Sequence, residues 1–306
     1  MSLAVGGENL IDFVQEEDGR DPPAYVAYPG GSPMNVAMAA ARQEMEVHYL
    51  TPVSQDSLGA LIAARLEADR VHLATPRRSE PTSLAVVSLE NGAASYQFYR
   101  DGTAERQVSE AQLDAAAPDG LTAFHIGSLA VTGGDDAPAY EAFHKRCFER
   151  GLLTSYDPNV RPSLTPDRDG FIARMERITT HTTVLKLSDE DLHWLYPEMT
   201  EADAFDRLVA RSGAPVVVLT QGDKGAMGRA GDTVIEINAA PVEPLIDTVG
   251  AGDTFMATLV RQVAERAGDF SFDAAALKKL LETASRAAAI NCTRAGCQPP
   301  TLAELA

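Results

Sequence analysis

Apolar runs of strand length alternate along this chain with longer stretches in which apolar residues recur every three or four positions. Strand-like runs are predicted to end at Val53, Ile126, Tyr156, Leu187 and Leu219, with helical stretches between them. One helix is expected from about Pro138, a favourable first-turn residue, to Gly151, a favourable stop. Another starts near Asp273 and places Leu277, Leu280, Leu281, Ala284 and Ala288 on one face. Such alternation implies an α/β domain whose mostly parallel sheet is covered by helices on both sides. Two stretches, 13–28 and 71–101, break the alternation and read as strands with no helix between them. Glu90-Asn91-Gly92 signals a tight turn between strand-like segments at 83–89 and 94–100. These strands predict a small inserted second sheet that could cover a cleft. The plainer alternative is a hairpin decorating the sheet edge.

The chain has 306 residues, 45% of them hydrophobic, enough for one large core. Lys and Arg total 26 against 44 Asp and Glu, a formal charge of -18. That excess argues against nucleic acid or an anionic membrane as partner, and any anionic ligand needs a built-in local site. Three cysteines, Cys147, Cys292 and Cys297, suggest neither a disulfide framework nor a zinc site. No signal peptide or membrane-spanning run is expected, so the predicted address is cytoplasmic.

Ligands of open α/β sheets bind beyond the carboxyl ends of the strands, and four segments at such positions carry unusual chemistry. In 247–255, Gly250-Ala251-Gly252 precedes a helix whose apolar face includes Phe255, Leu259 and Val263. Backbone N–H groups at that helix N-terminus suit a phosphate or a developing anion. Asp253 stands at the same place, either as a cap or as a base that takes a proton from an attacking hydroxyl. In Gly30-Gly31-Ser32-Pro33-Met34-Asn35, Ser32 can cap a helix running through Arg42, Pro33 fits its first turn, and Asn35 can donate to and accept from a sugar hydroxyl. In Tyr156-Asp157-Pro158-Asn159-Val160-Arg161-Pro162, four polar or charged groups are expected to converge, and Arg161 could balance phosphate charge or hold a substrate oxygen. In 219–225, glycines at 222 and 225 make a tight loop where a nucleotide could lie, or a simple hairpin. No Walker-type loop or dinucleotide fingerprint is present.

Together these motifs resemble the ribokinase-like (pfkB) family of carbohydrate kinases, from about Gly6 to Leu305. The resemblance implies a single domain over 1–306: a ribokinase-like three-layer sandwich with a mostly parallel central sheet and a small inserted β-sheet lid, which in the family often also makes a homodimer contact. It implies Asp253 as catalytic base and Gly250, Ala251 and Gly252 as the anion hole. Asp12, Gly31, Ser32 and Asn35 would bind the sugar, with Arg100, Asn159 and Arg161 as further substrate candidates. Lys186, Ser188, Thr220, Gly222, Gly225 and Ala288 would line the ATP site.

Several stretches look like fructokinase: Gly7-Glu8 with Ile11-Asp12, Phe98-Tyr99-Arg100, 157–162, 186–190 and Asn291-Cys292-Thr293-Arg294. The family's Asn-x-x-Glu, tied to Mg²⁺ through water, reads Ser188-Asp189-Glu190-Asp191, so Asp191 or Glu190 would serve. Glu44 and Thr258 depart from the family pattern away from the chemistry. In many relatives a monovalent cation such as K⁺ sits behind the anion hole, held by carbonyls near Asp247 and Val249 and near the loop 292–297, and the resemblance leaves its presence here open. The expected reaction is transfer of the γ-phosphoryl group of ATP to a hydroxyl of a small sugar, with fructose foremost. The alternatives are 2-keto-3-deoxygluconate, ribose or a nucleoside as acceptor, or a non-catalytic sugar or nucleotide sensor on the same scaffold.

Overall fold

A computed structural model describes residues 1–16, 20–90 and 93–306. The main sheet has nine strands in the order β13 (Thr233–Ile237), β12 (Ala226–Ala230), β11 (Val216–Thr220), β10 (Val184–Ser188), β9 (Leu153–Asp157), β8 (Ala123–Gly127), β1 (Ser2–Gly6), β4 (Glu46–Tyr49) and β5 (His72–Leu73). Every pairing from β11 across to β5 is parallel, and β12 runs antiparallel to both its neighbours. The central strands are buried on both faces, which is why Val216-Val217-Val218-Leu219 is continuously apolar instead of alternating.

Helices α1 (Ser32–Arg42), α2 (Ser57–Ala68), α8 (Ala251–Ala264) and α9 (Ala274–Cys292) pack on one face around one apolar cluster. On the other face lie α3 (Glu110–Ala116), α4 (Ala137–Glu149), α5 (Arg168–Thr179), α6 (Asp189–Leu195) and α7 (Glu201–Ser212). The three layers are therefore those expected. The α9 stripe Leu277, Leu280, Leu281 and Ala284 is buried as its spacing predicts, and Ala288 is partly buried. Phe255, Leu259 and Val263 of α8 are also buried, and hollowing out such a position typically costs about 2–5 kcal/mol.

The inserted sheet has four strands in the order β3 (Tyr25–Gly30), β2 (Leu10–Gln15), β6 (Ser83–Glu90) and β7 (Ala93–Tyr99). β2 and β6 are parallel, and the outer pairings are antiparallel. Boundaries differ from the sequence reading, and the stretch read as 13–28 runs from Leu10 to Gly30. β4 stops at Tyr49 instead of Val53, because Pro52 has no N–H to extend the ladder. The stretch beginning at residue 71 opens with β5, which belongs to the main sheet. Of the predicted Glu90-Asn91-Gly92 turn, Asn91 and Gly92 lie outside the described residues. The path β1–β2–β3–α1 sets the root of the small sheet against the N-terminus of α1, at the carboxyl end of β1.

Candidate active site

Two helices open at this end without a side-chain cap. The residue before α1 is Gly31, at φ 124°, and the residue before α8 is Gly250, at φ 76°. Gly250 is dictated by the fold: its φ is left-handed, and a β-carbon there would overlap Cys297 Sγ. Gly252 is not so constrained. Its φ is ordinary, and a β-carbon would meet only the end of the Lys186 side chain, Nζ at 3.6 Å and Cε at 4.0 Å. Neither the backbone nor its neighbours require glycine at 252, so the open space beside it is the reason to consider.

Asp253 stands on the first turn of α8 and is 7% exposed. It does not cap its own helix. Ser32 Oγ donates to its Oδ1 at 2.7 Å, and Asn35 Nδ2 donates to its Oδ2 at 2.8 Å, both from α1. Ser32 is likewise no cap: it is the first helical residue, and its hydroxyl faces Asp253. Burial pushes the Asp253 carboxyl above its ordinary pKa, opposed by those two hydrogen bonds and by the charges of Lys186 and Arg161. A carboxylate with raised pKa at the mouth of a helix N-terminus is equipped to accept a proton.

Lys186, 3% exposed, donates to Asp157 Oδ2 at 2.9 Å. Burial works against its ammonium, but Asp157 and the nearby carboxylates hold its pKa above the usual value. Burial pushes Asp157 up to about 6 against the pull of Lys186, and its Oδ1 has no hydrogen-bond partner. Asp12 on β2 is pushed up to about 6 by burial, opposed by Arg161. The same guanidinium acts on Asp253, so Arg161 lies within electrostatic reach of both carboxylates. Its Nη1 is held by Asn159, at 2.6 Å from Oδ1 and 3.0 Å from the carbonyl. The structure thus gathers Asp12, Ser32, Asn35, Arg161, Lys186, Asp253 and the turn at 250–252.

Other predicted residues sit differently. Tyr156 points to the opposite face and is buried in the second apolar cluster, because neighbouring strand residues alternate in direction. Arg100 forms a bidentate pair with Glu105, at 2.8 and 3.0 Å, and is 9% exposed, so it braces the root of the small sheet. Asp191 uses both oxygens locally: Oδ1 accepts from the Val160 N–H at 2.7 Å, and Oδ2 from the Ser188 N–H at 3.1 Å. Glu190 beside it is exposed. Ser188, the cap of α6, pairs in register with Thr220 at the carboxyl ends of β10 and β11. Gly222 and Gly225 form the β11–β12 hairpin, where a β-carbon at Gly225 would overlap the Ile237 carbonyl. Ala288 lies farther along on α9.

Asp247 and Val249 are tied to the segment following α9. Asp247 Oδ1 accepts from the Val249 N–H at 3.0 Å and Oδ2 from the Gly296 N–H at 2.8 Å, while the Val249 carbonyl accepts from Asn291 Nδ2 at 2.8 Å. Among the described residues no group of three or more His, Cys, Asp or Glu side chains could hold a metal ion, and no helix is long and apolar enough to cross a membrane.

Sequence reasoning did not single out Glu8 or Asn291 as site residues. Glu8 is 2% exposed, and its two oxygens accept from the Ser32 and Leu129 N–H groups, each at 3.1 Å. It fixes the N-terminus of α1, and burial pushes it up to about 7 against the pull of Arg100. A lone Glu following two glycines offers no local signal of that task.

Residues 2–304 match the pfkB family of carbohydrate kinases. A fructokinase of Rhizobium leguminosarum bv. trifolii is 33% identical over 258 residues, covering 83% of this chain and 77% of the relative. The fructokinase of Xylella fastidiosa, solved with bound ATP, superposes with a TM-score of 0.88 at 26% identity, covering 99% of this chain and 96% of that one. The Vibrio cholerae fructokinase shares the fold. Its structure with fructose, ADP and calcium has a TM-score of 0.84 at 23% identity, covering 99% of this chain and 97% of that one. Its double mutant with fructose, ADP and potassium has the same TM-score at 24% identity, covering 99% and 96%.

Proposed function

Because the chain belongs to the pfkB family of carbohydrate kinases, we propose that it transfers the γ-phosphoryl group of ATP to a hydroxyl of fructose. The observation that carries this reading is Asp253: a buried carboxylate with raised pKa, held by Ser32 and Asn35, at the uncapped N-terminus of α8. The attacking hydroxyl sits against Asp253 and gives it a proton as the new O–P bond forms and the bond to the ADP oxygen breaks. Backbone N–H groups of Gly250 and Gly252 stabilise charge on the group in transfer, that of Ala251 already donates to the Thr248 carbonyl at 3.1 Å, and Lys186 adds a cation beside Gly252. Asp12 and Arg161 orient the sugar, and the small sheet excludes water.

A divalent ion, taken here as Mg²⁺, would supply charge neutralisation on the nucleotide phosphates. The residues fit such an ion held mainly by the nucleotide, with the partnerless Asp157 Oδ1 and the exposed Glu190 as available carboxylate oxygens. Asp191, with both oxygens accepting N–H bonds, is the weaker candidate.

A sugar acid would need a cationic partner. Arg100 is already paired, which leaves Arg161 and favours a neutral acceptor. ADP release measured over fructose, ribose, 2-keto-3-deoxygluconate and nucleosides tests the assignment. Fructose is expected to give the highest kcat/KM. A higher value for any of the others overturns fructose, and no sugar-dependent ADP release from any of them overturns the enzymatic reading.

A further inference from the structure

We propose that the side-chain amide of Asn291 does in this protein the work of a monovalent cation behind the anion hole, so that phosphoryl transfer proceeds without K⁺. A bound K⁺ needs several oxygen lone pairs facing one point, with no N–H aimed into them. Here the donors come from the protein. Asn291 is 0% exposed, and its Nδ2 donates to the Val249 carbonyl at 2.8 Å. Its Oδ1 accepts from the Gln298 N–H at 2.8 Å.

The surrounding groups are matched in the same way. The Cys292 carbonyl accepts from the Ile246 N–H at 2.9 Å and from the Asp247 N–H at 3.3 Å. Asp247 receives the N–H groups of Val249 and Gly296 on its two oxygens. One amide therefore joins the segment entering the anion hole, 246–250, to the segment leaving α9, 291–298. An amide can do so because it offers a donor to one segment and an acceptor to the other, whereas a cation offers only attraction to oxygens. Cys297 packs against Gly250 and completes the join. Fixing these two segments fixes the direction of the N–H groups of Gly250 and Gly252, on which the proposed transfer rests. The Vibrio cholerae protein solved with potassium is 24% identical, a likeness that extends to the fold only.

The test compares KCl with tetramethylammonium chloride at equal ionic strength, using the full chain with ATP, MgCl₂ and fructose. Wild type is expected to show the same kcat in both salts and no K⁺-dependent shift in Tm. Asn291→Ala leaves the Val249 carbonyl without its donor and opens a gap beside it. In tetramethylammonium its kcat is expected to fall about 10- to 100-fold, as misplacement of a catalytic group by about 1 Å costs. K⁺ is expected to restore much of that loss and to raise the variant's Tm. The melting readout needs no turnover, so it separates failure of this proposal from failure of the fructose assignment. Wild type activated several-fold by K⁺ overturns the proposal, as does an Asn291→Ala variant that K⁺ changes in neither rate nor Tm. Should Asn291→Ala not fold, the wild-type salt comparison still decides.

Discussion

Aspartates stand at the N-termini of both α2 and α8, and their surroundings push them in opposite directions. Asp56 precedes α2 and accepts from the Gly59 N–H at 2.7 Å and from the hydroxyl and N–H of Thr82 at 2.6 and 2.8 Å. Burial alone would raise its pKa, but these hydrogen bonds outweigh burial and hold it below the ordinary value. Asp253 stands inside the first turn of α8, accepts nothing from its own helix, and has its pKa raised by burial. The first aspartate stabilises a helix by remaining charged, and the second is kept where charge is unfavourable, so that it readily takes a proton. The same residue type beside the same kind of helix end thus serves structure in one place and chemistry in the other.

That contrast is broken most forcefully at Gly252. Gly252→Val is expected to fold, since its φ is ordinary and a β-carbon there makes only ordinary contact with the end of Lys186, at 3.6 Å. Its kcat/KM is expected to fall by roughly 10²-fold, because the new side chain fills the space the transferred group needs while the backbone N–H remains, and misplacement by about 1 Å costs about that much. A folded Gly252→Val with unchanged kcat/KM would mean that the turn binds no reacting group. The smaller effect lies at α2. Asp56→Ala should lower stability by about 1–2 kcal/mol, as loss of a cap does, and leave kcat unchanged. Because the folded-state pKa of Asp56 is depressed, its contribution is present above the unfolded pKa and lost as pH falls through the folded value. Chemical denaturation of wild type and variant should therefore converge in acid. A variant as stable as wild type at neutral pH would remove Asp56 as the structural counterpart.

The layered fold was legible because buried parallel strands and one-sided helices impose periods that survive in the sequence, as at 216–219 and along α9. The site motifs were legible as segments. Their alliances were not: Ser32 and Asn35 meet Asp253 across more than two hundred residues, and no local pattern distinguishes that meeting from capping. Arg100 shows the converse. A cation near a predicted lid looked available to substrate, yet Glu105, five residues on, pairs with it. Glu8 and Asn291 were hidden for the same reason, since their partners are backbone groups of distant segments.

The central claim is that Asp253 receives the hydroxyl proton, and the most direct test is kcat on fructose with ATP for Asp253→Asn. Asn preserves size and can still accept from Ser32, while Asn35 can turn its partnerless Oδ1 toward the new amide. The raised pKa means that ionised Asp253 costs stability at neutral pH, so the variant should melt no lower than wild type. With folding and fructose affinity retained, kcat is predicted to fall by about 10²–10⁴-fold, the usual contribution of a general base. A folded, fructose-binding Asp253→Asn enzyme with near-wild-type kcat would contradict the account.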